Sequence, residues 1–236
     1  ACCEPCREIT SKCELNPLHE NWIETRAYLN YASRKSNFDS KIFPLEVTLK
    51  DNTKKKLLLK RRETLGITQF LELAIPGFFQ KSLYSKGSRV VGISNYGFGI
   101  NLNTFVKKYN IKSFSFLIKH KNNYFETMLA KIAYCLTIST WGAECFSKNF
   151  VLPSILLEKD DIGRWVGCDP EGKILPLLGK QEGSNVGKVY AWSPKNSQKK
   201  YGLVRLKFFA NTDAPEYIVV VGLLKDNFIT RYEDFQ

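Results

Sequence analysis

Four of the seven cysteines in this chain fall within its first thirteen residues, at Cys2, Cys3, Cys6 and Cys13. Cys3-x-x-Cys6 holds two thiols about one turn apart, the bite with which knuckles and ribbons grip zinc. Structural zinc takes four donors, so this pair supplies half of a site. The missing pair lies either outside these residues or close by. Cys13 and His19 are the close candidates and would complete a local site of three cysteines and one histidine. The competing reading makes Cys2 and Cys13 small apolar fillers and His19 a surface residue. A disulfide scaffold would spread its cysteines along a shorter chain, and an odd count cannot pair fully within it. The crowding points instead to metal chemistry in a reducing compartment, with Cys135, Cys145 and Cys168 as core thiols.

Charge is the second signal. The 236 residues carry a net charge of +12 and an isoelectric point near 9.3. Such a balance favours an anionic partner, nucleic acid before a membrane surface. The densest cluster is Lys54-Lys55-Lys56 followed by Lys60-Arg61-Arg62. Phosphate contacts need charges of this kind, and a β-ribbon can lie in a groove. The bland alternative is a strand edge whose lysines discourage pairing with another chain. Lys107-Lys108, Lys119-His120-Lys121 and Lys199-Lys200 are weaker clusters of the same sign. Phe114, Phe116, Phe208 and Phe209 can stack bases, although alternating aromatics of this kind more often fill a core.

Other chemistry is poorly served. Neither histidine, His19 or His120, sits in a Cys-His or Ser-His motif. Gly92-x4-Gly97-x-Gly99 has no Lys-Ser/Thr behind it and is not a phosphate loop. No small-molecule cofactor is evident. No run of eighteen apolar residues exists to span a membrane.

The elements that must position these residues are those of an α+β protein. Residues 3–15 read as a short helix or knuckle, with Pro5 tolerated at a helix start. Residues 20–35 have near-helical spacing. Leu45, Val47 and Leu49 alternate with polar residues, Asp51-Asn52-Thr53 turns the chain, and residues 56–60 return as a second strand. Residues 89–93 read as a strand, 95–103 as a loop, and 113–119 alternate again. The clearest helix starts near Phe125, with Leu129, Ile132, Ala133 and Leu136 on one stripe and no Gly or Pro before Gly142. Residues 145–200 read mostly as loop. Two β-rich runs, 203–210 and 217–224, close the chain as a hairpin. The expected fold is an N-terminal zinc-knuckle remnant and helix over 1–38, then a mainly antiparallel β domain with one central core helix over 39–236.

Residues 1–14, Ala-Cys-Cys-Glu-Pro-Cys-Arg-Glu-Ile-Thr-Ser-Lys-Cys-Glu, resemble the second half of the zinc-bound ββα motif of bacterial HNH-type endonuclease-like proteins. There an upstream C-x-x-C and an Asp-Glu-His-Ile-type segment precede a second C-x-x-C. Cys3 and Cys6 match that second pair, and Glu14 matches the acidic residue that closes the segment. Arg26, Lys131-Ile132-Ala133, Asp161 to Gly167, Leu206 to Ala210 and Val219 to Gly222 continue the resemblance more diffusely. Arg7 stands where an asparagine often follows the cysteines. The upstream pair and the catalytic histidine have no counterpart here, and the chain begins at Ala1 rather than Met.

The resemblance thus implies an N-terminally truncated, cytoplasmic, DNA-directed HNH-like protein. Its parent would hold structural zinc and use a histidine with a catalytic divalent metal to hydrolyse a phosphodiester. The chain alone is expected to be inactive. The expected ligands are Cys3 and Cys6, and the expected phosphate contacts are Lys54, Lys55, Lys56, Lys60, Arg61 and Arg62. Two other readings stay open: a non-catalytic zinc-containing nucleic-acid-binding module, and a metal-free interaction protein whose charge only decorates its surface.

Overall fold

The computed structural model describes residues 4–16, 42–60, 63–65, 67–80, 88–94, 100–115, 123–156, 158–182 and 185–228. The fold is α+β, as the sequence predicts. It divides into two compact units: residues 18–70 with 90–120, and residues 1–17 with 71–89 and 121–236. The helix-like segment 20–35 and the boundary expected near residue 38 lie outside the described residues.

The smaller unit is built on a three-stranded sheet. Strands β1 (Ile42–Leu49) and β2 (Lys54–Lys60) form the expected antiparallel hairpin. Its turn places Asn52 at φ +66°, a conformation Asn tolerates, and Thr53 N–H donates to the Asp51 carboxylate at 2.9 Å. Alternation buries Phe43, Leu45 and Val47 on β1 with Leu57 and Leu59 on β2. Helix α1 spans Glu4–Asn16 and belongs to the larger unit; helix α2 (Leu102–Lys108) starts at Asn101, whose side chain accepts from Asn103 N–H. Residues 102 and 103 therefore open a helix that the expected loop over 95–103 had absorbed. Phe105 of α2 and Ile111 of β5 (Ile111–Ser115) complete the core with Leu45, Val47, Leu57, Leu59 and Leu65. β5 pairs antiparallel with the other edge of β1. Strands β3 (Ile67–Leu73) and β4 (Ser88–Ser94) pair with each other.

In the larger unit, strands β6 (Phe146–Asn149), β10 (Glu216–Leu224), β9 (Tyr201–Phe208) and β8 (Asn185–Trp192) lie in that order, with β7 (Val166–Cys168) also on β10. The stretch 145–200 is mostly loop among its described residues, as expected, but it also contains regular elements. That stretch supplies β6, β7, β8 and the single-turn helix α4 (Leu152–Ile155). Helix α3 (Tyr124–Trp141) packs on the sheet, burying Phe125 to Ala130, Ala133 and Thr137. It ends at Gly142, whose φ of +83° suits a residue without Cβ. Gly167 is needed for a different reason: a Cβ there would lie 2.2 Å from the Ala74 carbonyl.

The sheet is held by a buried ionic network. Arg205 on β9 is fully buried, and its guanidinium donates to the carboxylates of Asp169 and Glu216 and to the carbonyls of Asp169 and Leu175. Asp169 also accepts from the backbone N–H groups of Lys173, Ile174 and Leu175. Glu216 accepts from those of Leu178 and Gly179, and from Lys207, which in turn donates to the Gly179 carbonyl. Buried charge is tolerated only when paired and hydrogen-bonded in this way. Asp169→Ala removes one of the two carboxylates that pair with the guanidinium and frees three N–H groups, so it is expected to destabilise by about 3–5 kcal/mol. Urea denaturation measures this; Lys173→Ala, removing only the exposed pair with Glu171, is expected to leave the midpoint unchanged.

Candidate nucleic-acid interface

The lysine-bearing strand β2 is an edge of its sheet, and Lys54, Lys55, Lys56 and Lys60 are all exposed on it. Register places Lys54 beside Thr48 and Thr48 beside Ser113; Lys56 lies beside Glu46 and Glu46 beside Ser115. These two rows line a surface groove of about 500 Å³. Its rim is basic and its floor carries hydroxyls, with Glu46 the one carboxylate among the lining residues. Hydroxyls and ammonium groups together suit phosphate oxygens, which accept from both.

Edge protection accounts for lysines on an outer strand, but it does not account for the rest of this face. Ile42 is 57% exposed and Leu58 64% exposed, and both lie in the rows that continue the lysine pattern, Ile42 beside Lys60 and Pro44 beside Leu58. The face therefore grades from basic and polar to apolar. Arg61 and Arg62 lie outside the described residues.

Charge is unevenly divided between the units. The smaller unit holds 15 Lys and Arg against 6 Asp and Glu, a net of +9, while the larger holds 20 against 17, a net of +3. Most of the excess thus belongs to the unit that carries the groove. The weaker cluster Lys107-Lys108 closes α2 there, where lysines complement the helix C-terminus, and Lys108 rests over the Tyr109 ring at 4.9 Å. Lys119, His120 and Lys121 lie outside the described residues, as does Phe116. Phe208 packs against Tyr217, and Phe209 is buried, so this pair serves the core.

The cysteine cluster divides. Cys6 sits in the first turn of α1, where free backbone N–H groups favour negative charge. Cys2, Cys3 and His19 lie outside the described residues. Cys13 is 1% exposed on the side of α1 that holds Thr10. Burial, with Glu14 adding to it, pushes its thiol pKa up and works against a thiolate ligand. Among the described residues no group of three or more His, Cys, Asp and Glu is placed to hold a metal.

What α1 does have is a firm mooring. Lys131 of α3 pairs with Glu14 at 2.6 Å and donates to Thr10 Oγ1 at 2.7 Å. The two charged partners are 117 positions apart in the sequence. No family model matches the chain, and neither a curated protein nor a solved structure matches it. No described helix is long and apolar enough to cross a membrane.

The later cysteines correct one expectation. Cys145 and Cys168 are buried thiols, but Cys135 is exposed on α3. Burial raises Cys145, and pushes Cys168 up to about 12 while its Sγ accepts from Leu73 N–H. Iodoacetamide on the native protein is expected to label Cys135 and to spare Cys13, Cys145 and Cys168, as read by peptide mass. Because the folded value of Cys168 is raised, its contribution is fully present below pH 9. It is lost as pH climbs from 9 towards 12, at about 1.4 kcal/mol per unit. A Cys168→Ala variant is expected to melt with a shallower alkaline dependence.

Proposed function

We propose that this chain acts on nucleic acid, DNA first, as part of an HNH-like protein in which Cys3 and Cys6 give two of the four donors to a structural zinc. The observation that carries the nucleic-acid reading is the lysine-rimmed groove on a unit of net charge +9. Lys54, Lys55, Lys56 and Lys60 contact phosphates, the Thr48, Ser113 and Ser115 hydroxyls add neutral donors, and the hairpin backbone fixes their spacing. Arg61 and Arg62 extend the same run along the sequence.

The zinc part rests on the resemblance and on the placement of Cys6. A C-x-x-C leading into a helix is a bite that suits zinc, and the Lys131 pair with Glu14 keeps that helix on α3. Zinc bound there would hold the N-terminal segment in a fixed shape. Hydrolysis in such a protein needs a histidine to activate water and a divalent metal to stabilise charge on the phosphate. His19 and His120 match neither place in the motif, so neither takes the water-activating role in this reading.

Fluorescence anisotropy with a labelled DNA duplex tests the reading. Affinity is expected to fall steeply and linearly on a logarithmic salt scale. The Lys54→Ala/Lys55→Ala/Lys56→Ala variant is expected to reduce the slope by about three, near one for each phosphate left without its lysine. Salt-independent binding, or a slope unchanged in the triple variant, rejects the groove. Zinc is read separately, by metal analysis of the purified chain and by protection of Cys3 and Cys6 from alkylation until a chelator is added.

A further inference from the structure

A second surface, in the larger unit, has the composition of a stacking platform. Strands β8 and β9 form a hairpin whose loop end pairs Trp192 with Tyr201. Their rings lie 6.1 Å apart. Phe78 and Phe79 come up against both: Phe78 is 5.1 Å from Tyr201 and Phe79 is 5.4 Å from Trp192, each ring edge-on to its neighbour. Phe150 and Trp165 extend the group as a stacked pair at 4.5 Å. Only Trp165 of these six is buried; the other five are half-buried. Core aromatics are normally covered, and a contiguous set of half-covered rings marks a binding surface.

Charge identifies the occupant. The loop that joins Trp192 to Tyr201 reads Ser-Pro-Lys-Asn-Ser-Gln-Lys-Lys, so Lys195, Lys199 and Lys200 are threaded between the two rings in sequence. No Asp or Glu occurs between Glu182 and Asp213. Arg205 and Lys207 are used internally by the buried network, whereas Lys188, Lys195 and Lys199 are exposed. The exposed charges of the hairpin are therefore all positive. Arg164 adds a guanidinium over the Trp165 ring at 4.9 Å. Aromatic faces interleaved with cations, without a carboxylate, fit a chain of stacking bases joined by phosphates.

We infer that the Trp192–Tyr201 end of the β8–β9 hairpin binds single-stranded nucleic acid, its bases stacking on these rings and its phosphates meeting Lys195 and Lys199. A duplex hides its base faces and cannot use such a platform, so this surface selects strand state rather than sequence. The inference deepens the proposed nucleic-acid role and rests on it, but it uses a different unit and different residues from the β2 groove.

Titration of the full chain with a dT oligonucleotide and with a duplex of equal length separates the two. Trp192→Ala is expected to weaken single-strand binding about tenfold or more, as removing one stacking ring does elsewhere, and to leave duplex binding intact. Trp192→Phe is expected to restore most of it. Lys195→Glu/Lys199→Glu, which changes only exposed loop residues, is expected to reproduce the loss if Trp192→Ala fails to fold. The Lys54→Ala/Lys55→Ala/Lys56→Ala variant should show the converse pattern. If duplex binding follows the β2 lysines while single-strand affinity is indifferent to Trp192 and to the loop lysines, the platform is overturned and the broader reading stands. If neither oligonucleotide binds, both are overturned together.

Discussion

A guanidinium with no access to water sets the terms for the larger unit. Arg205 stands near the middle of β9, between β10 and β8, and its partners come from two places far apart in the sequence. Asp169 and the Leu175 carbonyl belong to the loop after β7; Glu216 begins β10. Each carboxylate also gathers backbone N–H groups of that loop, from Lys173 to Gly179. The loop has no strand ladder to join over these residues, so the carboxylates satisfy donors that burial would otherwise leave unpaired. Dispersed pairing of this kind is worth little as net stabilisation against an apolar replacement, but it is intolerant of partial removal. It fixes which loop lies against which strand.

Position then passes outward from the sheet. With β9 and β10 in register, α3 has a continuous apolar surface to cover, and Tyr217 of β10 reaches Phe125 on one side while its hydroxyl donates to the Leu71 carbonyl. α3 in turn presents Lys131 to α1. α1, whose first turn carries Cys6, is joined to α3 by the Lys131–Glu14 ion pair and the Lys131–Thr10 hydrogen bond, with Thr10 and Cys13 buried. Glu14 is partly exposed in that pair, so the mooring is firm in geometry and modest in energy.

How much of this was legible depends on how local the signal is. The β1–β2 and β9–β10 hairpins show in the sequence because alternation and turn residues act over a few positions, and α3 shows because eighteen residues pass without a breaker. α2 is too short and too polar to announce itself: Phe105 is its only buried side chain, and its capping Asn101 reads as loop chemistry until the helix behind it is seen. β6 and β7 are four and three residues long, set among prolines and glycines. The lysines of the candidate groove were visible as a run, yet the hydroxyls facing them come from β1 and β5, and β5 follows only after β3, β4 and α2 have intervened. Asp169, Arg205 and Glu216 look like ordinary surface charges one at a time. Only pairing across the sheet makes them a core.

The separation of charge follows from where each unit can bury ions. In the larger unit acidic residues sit where cations must be buried, at Asp169 and Glu216, which leaves the exposed part of β8–β9 wholly basic. In the smaller unit the described core cluster is seven buried side chains: six on three strands and one short helix, and Leu65. Its described charged side chains are exposed or partly exposed, and a net of +9 repels itself and weakens the compact state. An anionic polymer bound to such a unit would relieve that repulsion, by bringing phosphates to lysines that have few carboxylates of their own. A small domain that carries its charge in this uncompensated form is more stable with such a partner than without one, because any ligand that binds only the folded state adds to its stability.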